Sequence, residues 1–330
     1  MMDRDISTHA LVSISELEFL LKLPRKQLRG IAKTAGRHYN PFDFYKSGTD
    51  KWRHIDNPDS ALKNIQKNIL KNILNKRLYL LPQNMTGGVS GKSVIENAKI
   101  HIGKACVGII DIKECFPSTN HKKVYELWKN FFGCGSKTAG ALTQLTTFQD
   151  RLPQGAPTSP LLCNFILMPI YKEIENYTNK HALDFSIFVD DITISGTKKD
   201  VLAAVNAIVK ILLKHQYAVR NKKVKIFSSA FRQKVTGITV NNKLSLGRNG
   251  VNEIRKLIIE TAKLKDYIPT SYLARIRGKT SFAKYLSPKH GISLEKFAEK
   301  LLVAPILNIE KEKSDDKRSC NSYKVDHHAT

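Results

Sequence analysis

Residues 184–195 read Asp-Phe-Ser-Ile-Phe-Val-Asp-Asp-Ile-Thr-Ile-Ser, two short β-prone runs that meet at the acidic pair Asp190-Asp191. Such runs on either side of a polar pair predict a β-hairpin with both acids at its tip. An adjacent aspartate pair alone says little, because acidic residues are common in turns. Apolar residues flank this pair, however, so the charges lie at the edge of a core, where a carboxylate needs a partner or a metal ion.

A third acid, Asp111, ends another apolar run that extends from Cys106 to Ile112 and predicts a buried strand. Neighbouring strand residues point to opposite faces, so Asp190 and Asp191 can share one site only where the backbone turns. Nucleotidyl transfer uses two divalent cations about 4 Å apart, and Mg²⁺ prefers hard oxygen ligands and substrate phosphates. We therefore predict a catalytic two-metal Mg²⁺ site formed by all three aspartates.

The composition indicates a polyanionic partner. The 330 residues include 54 Lys and Arg against 29 Asp and Glu, a formal charge of +25. This excess is too large to leave unexplained in an enzyme of small molecules, and nucleic acid is the natural partner. The alternatives are a basic ribosomal or chromatin-like protein, or charge that serves solubility.

The cysteines and the hydropathy pattern indicate a cytoplasmic protein with no membrane partner. The five cysteines include no CxxC pair and are odd in number, which argues against a zinc module and a disulfide framework. No apolar run approaches the roughly 20 residues that span a bilayer, and the N-terminus lacks the layout of a signal peptide.

Helical patterns dominate the first 80 residues. Residues 1–40 predict a helical extension, with Ser15 as an N-cap. Residues 61–80 predict a basic amphipathic helix, for which the alternative is a solvated lysine face over a core stripe. The glycine-rich loop over 85–92 lacks the spacing of a Walker phosphate loop.

Later segments also have helical signals. Ser159-Pro160 predicts the start of a helix that runs towards Lys180 and is kinked by Pro169. Residues 251–302 are again helical in pattern.

Three strings resemble the motifs of reverse transcriptases. They are Asp111-Ile-Lys-Glu-Cys-Phe116, Leu152-Pro-Gln-Gly155 and Phe188-Val-Asp-Asp191, in the family's order and on a predicted strand, loop and hairpin. Phe188 stands where the family usually has Tyr, and Val189 where it most often has Ala. Neither change removes a metal ligand, but the placement of the primer end could differ.

Two further strings are similar to hallmark sequences of bacterial retron reverse transcriptases. They are Asn97-Ala-Lys-Ile-His101, before the first motif, and Val235-Thr-Gly237, after the third. By themselves, the first string could be a helix turn with a polar face and the second a strand with a bulge.

The resemblance implies an α+β right-hand polymerase fold with an antiparallel palm sheet and a helical thumb. It divides the chain into an N-terminal helical extension (1–40), fingers (41–105 with part of 121–155), palm (106–250), helical thumb (251–305) and a weakly ordered tail (306–330).

The resemblance also assigns roles to individual residues. The backbone carbonyl of Ile112 would join the three aspartates as a metal ligand, and Phe116 would act as a steric gate against a ribose 2′-hydroxyl. The alternative for Phe116 is a core residue beside Pro117. The nucleotide-binding residues would be Lys46, Arg53, Phe116, Gln154 and Gly155, with ordinary surface charge as the alternative for Lys46 and Arg53. The RNA-binding residues would be Asn97, Ala98, His101, Val235, Thr236, Gly237, Arg277 and Lys279.

The implied function is RNA-directed DNA synthesis on a cognate structured noncoding RNA. The implied product is a branched RNA-DNA hybrid called msDNA, made from deoxynucleoside triphosphates and primed by a 2′-hydroxyl. The resemblance also implies a role like that of anti-phage defence units, which carry a separate effector protein. The alternatives are a group II intron or diversity-generating reverse transcriptase, or a catalytically idle RNA-binding scaffold.

Overall fold

The computed structural model describes residues 13–46, 51–220, 224–264 and 268–302, without the side chains of Lys46 and Lys51. The expected weakly ordered tail (306–330) lies outside the described residues. Internal contacts divide the chain into two units, Met1–Thr236 and Gly237–Thr330. The limits expected for fingers, palm and thumb stay predictions.

The first unit contains most of the secondary structure. Its helices are α1 (Ile14–Leu21), α2 (Arg25–Thr34), α3 (Ser60–Ile69), α4 (Val94–Lys99), α5 (His121–Glu126), α6 (Ser136–Thr146), α7 (Ser159–Ile166), α8 (Met168–Lys180) and α9 (Lys198–Lys214). Its strands are β1 (Tyr39–Lys46), β2 (Lys51–Pro58), β3 (Cys106–Asp111), β4 (Asp184–Phe188), β5 (Asp191–Gly196), β6 (Lys225–Ser228) and β7 (Lys234–Val235).

An antiparallel four-stranded sheet in the order β4-β5-β3-β6 lies at the centre of the first unit. α9 packs on β3 and β5, while α4 and α8 contact β4. Because helices cover the sheet, β3 is almost wholly buried, which explains its near-continuous apolar sequence. The strand predicted from Cys106 and the hairpin predicted over 184–195 are both confirmed.

Side-chain amides hold α1 to α3 and to the segment that directly follows α3. Asn68 and Asn72 donate to the carbonyls of Leu21 and Leu20, the last residues of α1. The predicted cap at Ser15 is wrong, because Ser13 precedes the first turn and accepts from the backbone N–H of Glu16.

The predicted helices over 61–80 and 159–180 are confirmed, with local changes. α3 continues into a π-helical turn and a 3₁₀ turn, Leu70–Leu74 and Asn75–Leu80. The segment predicted to kink near Pro169 is two helices, α7 and α8, which meet at Leu167.

A hairpin that the sequence patterns did not reveal joins β1 to β2. It pairs from Tyr39↔Pro58 to Lys46↔Lys51, and Tyr39 stacks on Phe148 at its base with ring centroids 4.3 Å apart. Beyond Tyr39 the described residues of β1 are exposed, as are residues 52–54 of β2, so the hairpin lacks the full buried-exposed alternation by which a half-buried strand is recognised.

The second unit is mainly helical. It contains β8 (Ile238–Thr239), α10 (Gly247–Ala262), α11 (Thr270–Leu286) and a last helical segment over 288–302. Ile258, Ile276 and Leu294 lie in its own hydrophobic core. The helical pattern expected over 251–302 is confirmed. Within the described residues, no helix is both long and apolar enough to cross a membrane.

Candidate active site

The candidate site begins at the tip of the β4–β5 hairpin. Phe188 pairs with Asp191, so Val189 and Asp190 form a two-residue turn between the strands. Asp190 therefore lies in the turn and Asp191 begins β5. The backbone therefore turns beside the two acids, and such a turn is needed for neighbouring strand residues to reach one site.

Asp111 lies directly opposite Asp191 in the register of β3 and β5. Side chains of such a pair project from the same face, with Cβ atoms about 5 Å apart. Asp111 is 3 % exposed, whereas Asp190 and Asp191 are half-buried. The fold thus brings all three predicted carboxylates to one end of the sheet.

Backbone hydrogen bonds fix this end of the sheet on both sides. The Ile112 N–H donates to the Asp190 carbonyl over 2.8 Å, and the Arg220 N–H donates to the Asp111 carbonyl over 3.0 Å. The Arg220 guanidinium Nε also lies 3.5 Å from Asp111 Oδ1. The carboxylates are therefore mounted on a constrained backbone beside a cation.

The residues at this site fit a divalent metal ion. Like charges directly opposite one another on neighbouring strands repel, and a bound cation would remove that cost. Among the described residues, no group of three or more His, Cys, Asp or Glu side chains is arranged to hold a metal ion without further ligands. Mg²⁺ does not need one, because it commonly takes one or two carboxylates and completes its shell with water and substrate phosphates.

The turn that carries Asp190 is strained. Val189 has φ of 58°, a left-handed conformation that is unfavourable for a β-branched residue. Such strain persists only where the surroundings hold the backbone, and it clusters at functional sites. Val189, which stands where the family most often has Ala, is thus the strained residue itself.

Gly87 packs against this turn from outside the hairpin. A Cβ on Gly87 would lie 2.4 Å from the backbone N of Val189 and 2.7 Å from the carbonyl carbon of Phe188. Only a residue without a side chain allows this approach. Sequence patterns predicted no role for the loop over 85–92 beyond excluding a Walker loop. Its glycine-rich composition is the one signal of a close backbone contact.

Buried polar side chains hold the Gly87 segment in place. The Thr86 N–H donates to the Ile187 carbonyl over 2.9 Å, and Thr86 Oγ1 donates to Asn97 Oδ1 over 2.9 Å. Asn164 Nδ2, from α7, donates to the Gly87 carbonyl over 2.7 Å. The β4–β5 hairpin is thus supported by a segment about 100 residues earlier in the chain.

The loop with Gln154 and Gly155 is bound to β2 through Asp56. The buried Asp56 carboxylate accepts from the Gln154 N–H over 2.9 Å and pairs with Arg151 Nη2 at 3.2 Å. Gly155 has φ of 140°, and a Cβ there would lie 2.8 Å from the Asp56 carbonyl oxygen. Sequence reasoning missed Asp56, since no local pattern links it to the loop.

Phe116 is half-buried and packs against the hydrophobic core. This position is compatible both with a gate and with the core alternative. The preceding Cys115 places its Sγ 3.1 Å from that of Cys163, and the neighbouring thiol and burial raise the pKa of Cys115. The four described cysteines are free thiols, as the sequence predicts; Cys320 lies outside the described residues.

Asn97, Ala98 and His101 are all completely buried, and RNA contact by this string stays a prediction. His101 Nδ1 lies 2.7 Å from Ser195 Oγ and its Nε2 lies 2.9 Å from Ser186 Oγ, so the ring bridges β5 and β4. Burial lowers the pKa of His101 to about 4, so the ring is neutral at pH 7 and offers no charge to a phosphate. The string supports the β4–β5 hairpin from inside the protein.

The second hallmark string is also partly internal. Val235 is buried, and its contact with RNA stays a prediction. Thr236 is half-buried and its Oγ1 donates to the carbonyl of Val94, the first residue of α4. Gly237 is exposed and has φ of 92°. RNA contacts by Thr236 and Gly237 stay predictions.

The remaining predicted residues are basic. Arg53 is exposed on β2, and Arg277 and Lys279 are exposed on α11. The side chain of Lys46 lies outside the described residues. Roles in nucleotide or RNA binding stay predictions for all four.

Comparisons with known proteins agree with this geometry. Residues 44–260 match the family model described as reverse transcriptase (RNA-dependent DNA polymerase). The chain is 28 % identical to the retron Ec86 reverse transcriptase of Escherichia coli, over 90 % of this chain and 92 % of that protein. It is also 28 % identical to the retron Mx65 reverse transcriptase of Myxococcus xanthus, over 87 % of this chain and 69 % of that protein.

A solved structure of a telomerase from Candida albicans has 10 % sequence identity and a TM-score of 0.47, over 82 % of this chain and 59 % of that chain. We draw nothing further from this weaker likeness.

Proposed function

The chain belongs to the reverse transcriptase family and is of the retron type, and on that premise we propose that it copies part of a cognate structured noncoding RNA into branched msDNA. As a member of this family it is an RNA-directed DNA polymerase with the right-hand polymerase fold. The observation that carries the proposal is the register of Asp111 against Asp191 beside the turn at Asp190. Priming from an internal 2′-hydroxyl of the RNA completes the proposed reaction.

The three aspartates would hold two Mg²⁺ ions, with the Ile112 carbonyl as a further ligand. When bound, the ions lower the pKa of the attacking hydroxyl and stabilise the leaving pyrophosphate oxygens. The strained turn and its backbone hydrogen bonds keep the carboxylates in position before substrate arrives, so little reorganisation is needed during the reaction.

Other residues would bind and select the nucleotide. Gln154 and Gly155, fixed by Asp56, would shape the nucleotide pocket. Arg53 and Lys46 would donate charge-assisted hydrogen bonds to triphosphate oxygens. Phe116 would exclude a ribose 2′-hydroxyl by bulk, in agreement with its half-buried position.

The test uses purified protein, its cognate RNA, Mg²⁺ and labelled deoxynucleotides. We expect labelled DNA that stays attached to RNA through a 2′,5′ linkage, and that a debranching enzyme releases. A strictly linear product would contradict the branched-product proposal. No incorporation at all would favour the idle-scaffold alternative.

A paired substitution assigns the chemistry to the site. Asp190→Asn with Asp191→Asn should abolish synthesis while RNA affinity stays within severalfold. The matched control is Asp150→Asn, since Asp150 is exposed and tolerates Asn at its φ of 58°. A comparable loss of RNA binding in the double variant would show that the pair is structural.

We extend the proposal to anti-phage defence with a separate effector protein. The retron-type relatives support this extension only by analogy. Phage should form fewer plaques on cells that carry the complete locus than on cells whose locus carries the Asp190→Asn variant. Equal plaque numbers across a broad phage panel would contradict the defence role.

A further inference from the structure

We propose that one face of α2 binds the phosphate backbone of the cognate structured RNA. This basic α2 face consists of Arg25, Lys26, Arg29 and Lys33 and lies before the matched family region of 44–260. The inference rests on the proposed function, because it presumes a cognate RNA, and it adds a binding surface outside that region.

The charge on α2 is concentrated and of one sign. Its ten residues include four cations and no acid. Arg25 pairs with Glu18 at 2.8 Å and donates to Ser15, so its side chain is held in place. In the part of the chain that the structure describes, no ion pair involves Lys26, Arg29 or Lys33, and all three are exposed. Their charge is thus available to a polyanion.

The four cations line a shallow, open depression on the surface of α2. Arg25, Lys26, Arg29, Gly30 and Lys33 line a depression of about 450 Å³. Positions four residues apart lie ~6 Å apart along a helix, so Arg25, Arg29 and Lys33 form an evenly spaced row. Such a row suits successive phosphates of one strand, and arginine can bind phosphate oxygens with two donors.

The opposite face of α2 is anchored in the protein. Leu28 and Ala32 are buried, and α2 packs against α1 and α6. The basic face is therefore presented on a rigid helix, and binding does not have to order it.

Gly30 provides an independent observation. It lies in the interior of α2, where glycine destabilises a helix relative to alanine. Its φ is not positive, and nothing lies within 4 Å of the position that a Cβ would take. Neither backbone geometry nor packing requires glycine here. Gly30 lines the same shallow depression as the four cations, so close approach of a ligand would explain its presence.

The chemistry of this face favours RNA over an acidic protein. The exposed residues of α2 are all polar, apart from glycine, and offer no apolar pocket for an anchoring side chain. Folded RNA is bound largely through phosphates and 2′-hydroxyls, which need only cations and donors.

The first test neutralises charge. In the full chain, Lys26→Gln, Arg29→Gln and Lys33→Gln are combined, and affinity for the cognate RNA is measured from 50 to 300 mM salt. We expect affinity to fall at least tenfold at the lower salt concentrations. The slope of log affinity against log salt should decrease by about 2 to 3, because each lost phosphate contact contributes about 0.7 to 0.9.

The matched control removes three exposed lysines elsewhere in the first unit, Lys172, Lys180 and Lys210, by the same change to Gln. It should leave the slope within one unit of the wild-type value. Extension of an oligonucleotide primer annealed to an unstructured template should be unaffected in both triple variants.

The second test uses Gly30→Ala. This change should raise the thermal midpoint, because alanine favours the helix, while affinity for the cognate RNA falls about three- to tenfold. If Gly30 had a purely structural role, a higher thermal midpoint would not be accompanied by weaker RNA binding. Gly140→Ala is the control, since Gly140 lies within α6 and also has nothing within 4 Å of its Cβ position. It should leave RNA affinity unchanged.

The outcomes separate this inference from the proposed function. If the unaltered protein binds its RNA but the α2 triple variant keeps the wild-type affinity and slope, the α2 proposal is overturned and the proposed function stands. If the basic α2 face then binds an acidic protein, RNA is also rejected as its ligand. If the unaltered protein does not bind the RNA, both proposals fail.

Discussion

Substitution of Gly87 by Ala tests whether the strained turn is held by the segment packed against it. The added Cβ would lie 2.4 Å from the Val189 backbone N and 2.7 Å from both the Phe188 carbonyl carbon and Val189 Cγ2. Real Cβ contacts essentially never fall below 3.0 Å, so the turn must move by at least about 0.6 Å. Two of the three atoms are backbone, so a side-chain rotation cannot relieve the contact.

The size of this shift sets the expected loss of rate. Asp190 directly follows Val189, so a displaced turn also displaces a predicted metal ligand. Because a misplacement of about 1 Å can reduce catalysis about 100-fold, we expect kcat to fall roughly 10- to 100-fold. Overpacking of this kind destabilises a fold by about 1 to 3 kcal/mol, which lowers the thermal midpoint by several degrees.

The assay is single-nucleotide incorporation on an annealed primer and template, with kcat and the KM for the nucleotide measured separately. KM should change little, because the Gln154 loop is held by Asp56 and not by Gly87. Adding Val189→Gly should restore part of the rate, since it removes the Cγ2 contact and suits the positive φ. Gly140→Ala serves as the control. Wild-type kcat with an unchanged thermal midpoint would refute the reasoning.

Three further predictions concern residues around the site. His101 has its pKa lowered to about 4 in the folded protein against 6.5 unfolded, so the unfolded chain binds more protons in that window and stability falls as pH falls through it. In the His101→Gln variant, the loss of unfolding free energy between pH 6.5 and 4 should be smaller by about 3 kcal/mol. If the unfolding free energies of the variant and the unaltered protein change in parallel with pH, His101 is not the cause of the loss. Phe116→Val should increase ribonucleotide incorporation, and unchanged sugar discrimination would support the core alternative. Asp56→Asn should raise the nucleotide KM severalfold with little change in kcat, because the Gln154 N–H and Arg151 lose a charged acceptor. The control for this last variant is Asp43→Asn, whose carboxylate is exposed and bonded to His54, and an equal KM effect in both would refute the role of the loop.

Local patterns were sufficient for the central hairpin and its acids. The runs before and after Asp190-Asp191 pair with each other across a two-residue turn, so the information for that pairing lies within 12 residues. The apolar run ending at Asp111 predicted a buried strand, because that information also lies within a short stretch of the chain. Family motifs then supplied the order of strand, loop and hairpin, which the structure reproduces.

Local patterns failed where a side chain serves a distant segment. The family resemblance implies RNA contact for Asn97 and His101, and nothing in their local sequence shows which groups they bond to within the protein. They are satisfied internally, by Thr86 and by the serines of β4 and β5, more than 80 positions away from His101. In the sequence, a polar residue that is buried with a hydrogen-bond partner cannot be distinguished from an exposed polar residue.

The sequence by itself determined the acidic hairpin, the strand opposite it, most helices and the preference for a polyanion. Each of these follows from composition or from a period of two or 3.6 residues. Only the tertiary structure decided that Gly87 presses on Val189 and that Asp56 fixes the Gln154 loop from 98 residues away. Contacts of this kind depend on how complete elements pack, and no periodicity along the chain records which distant atoms will meet.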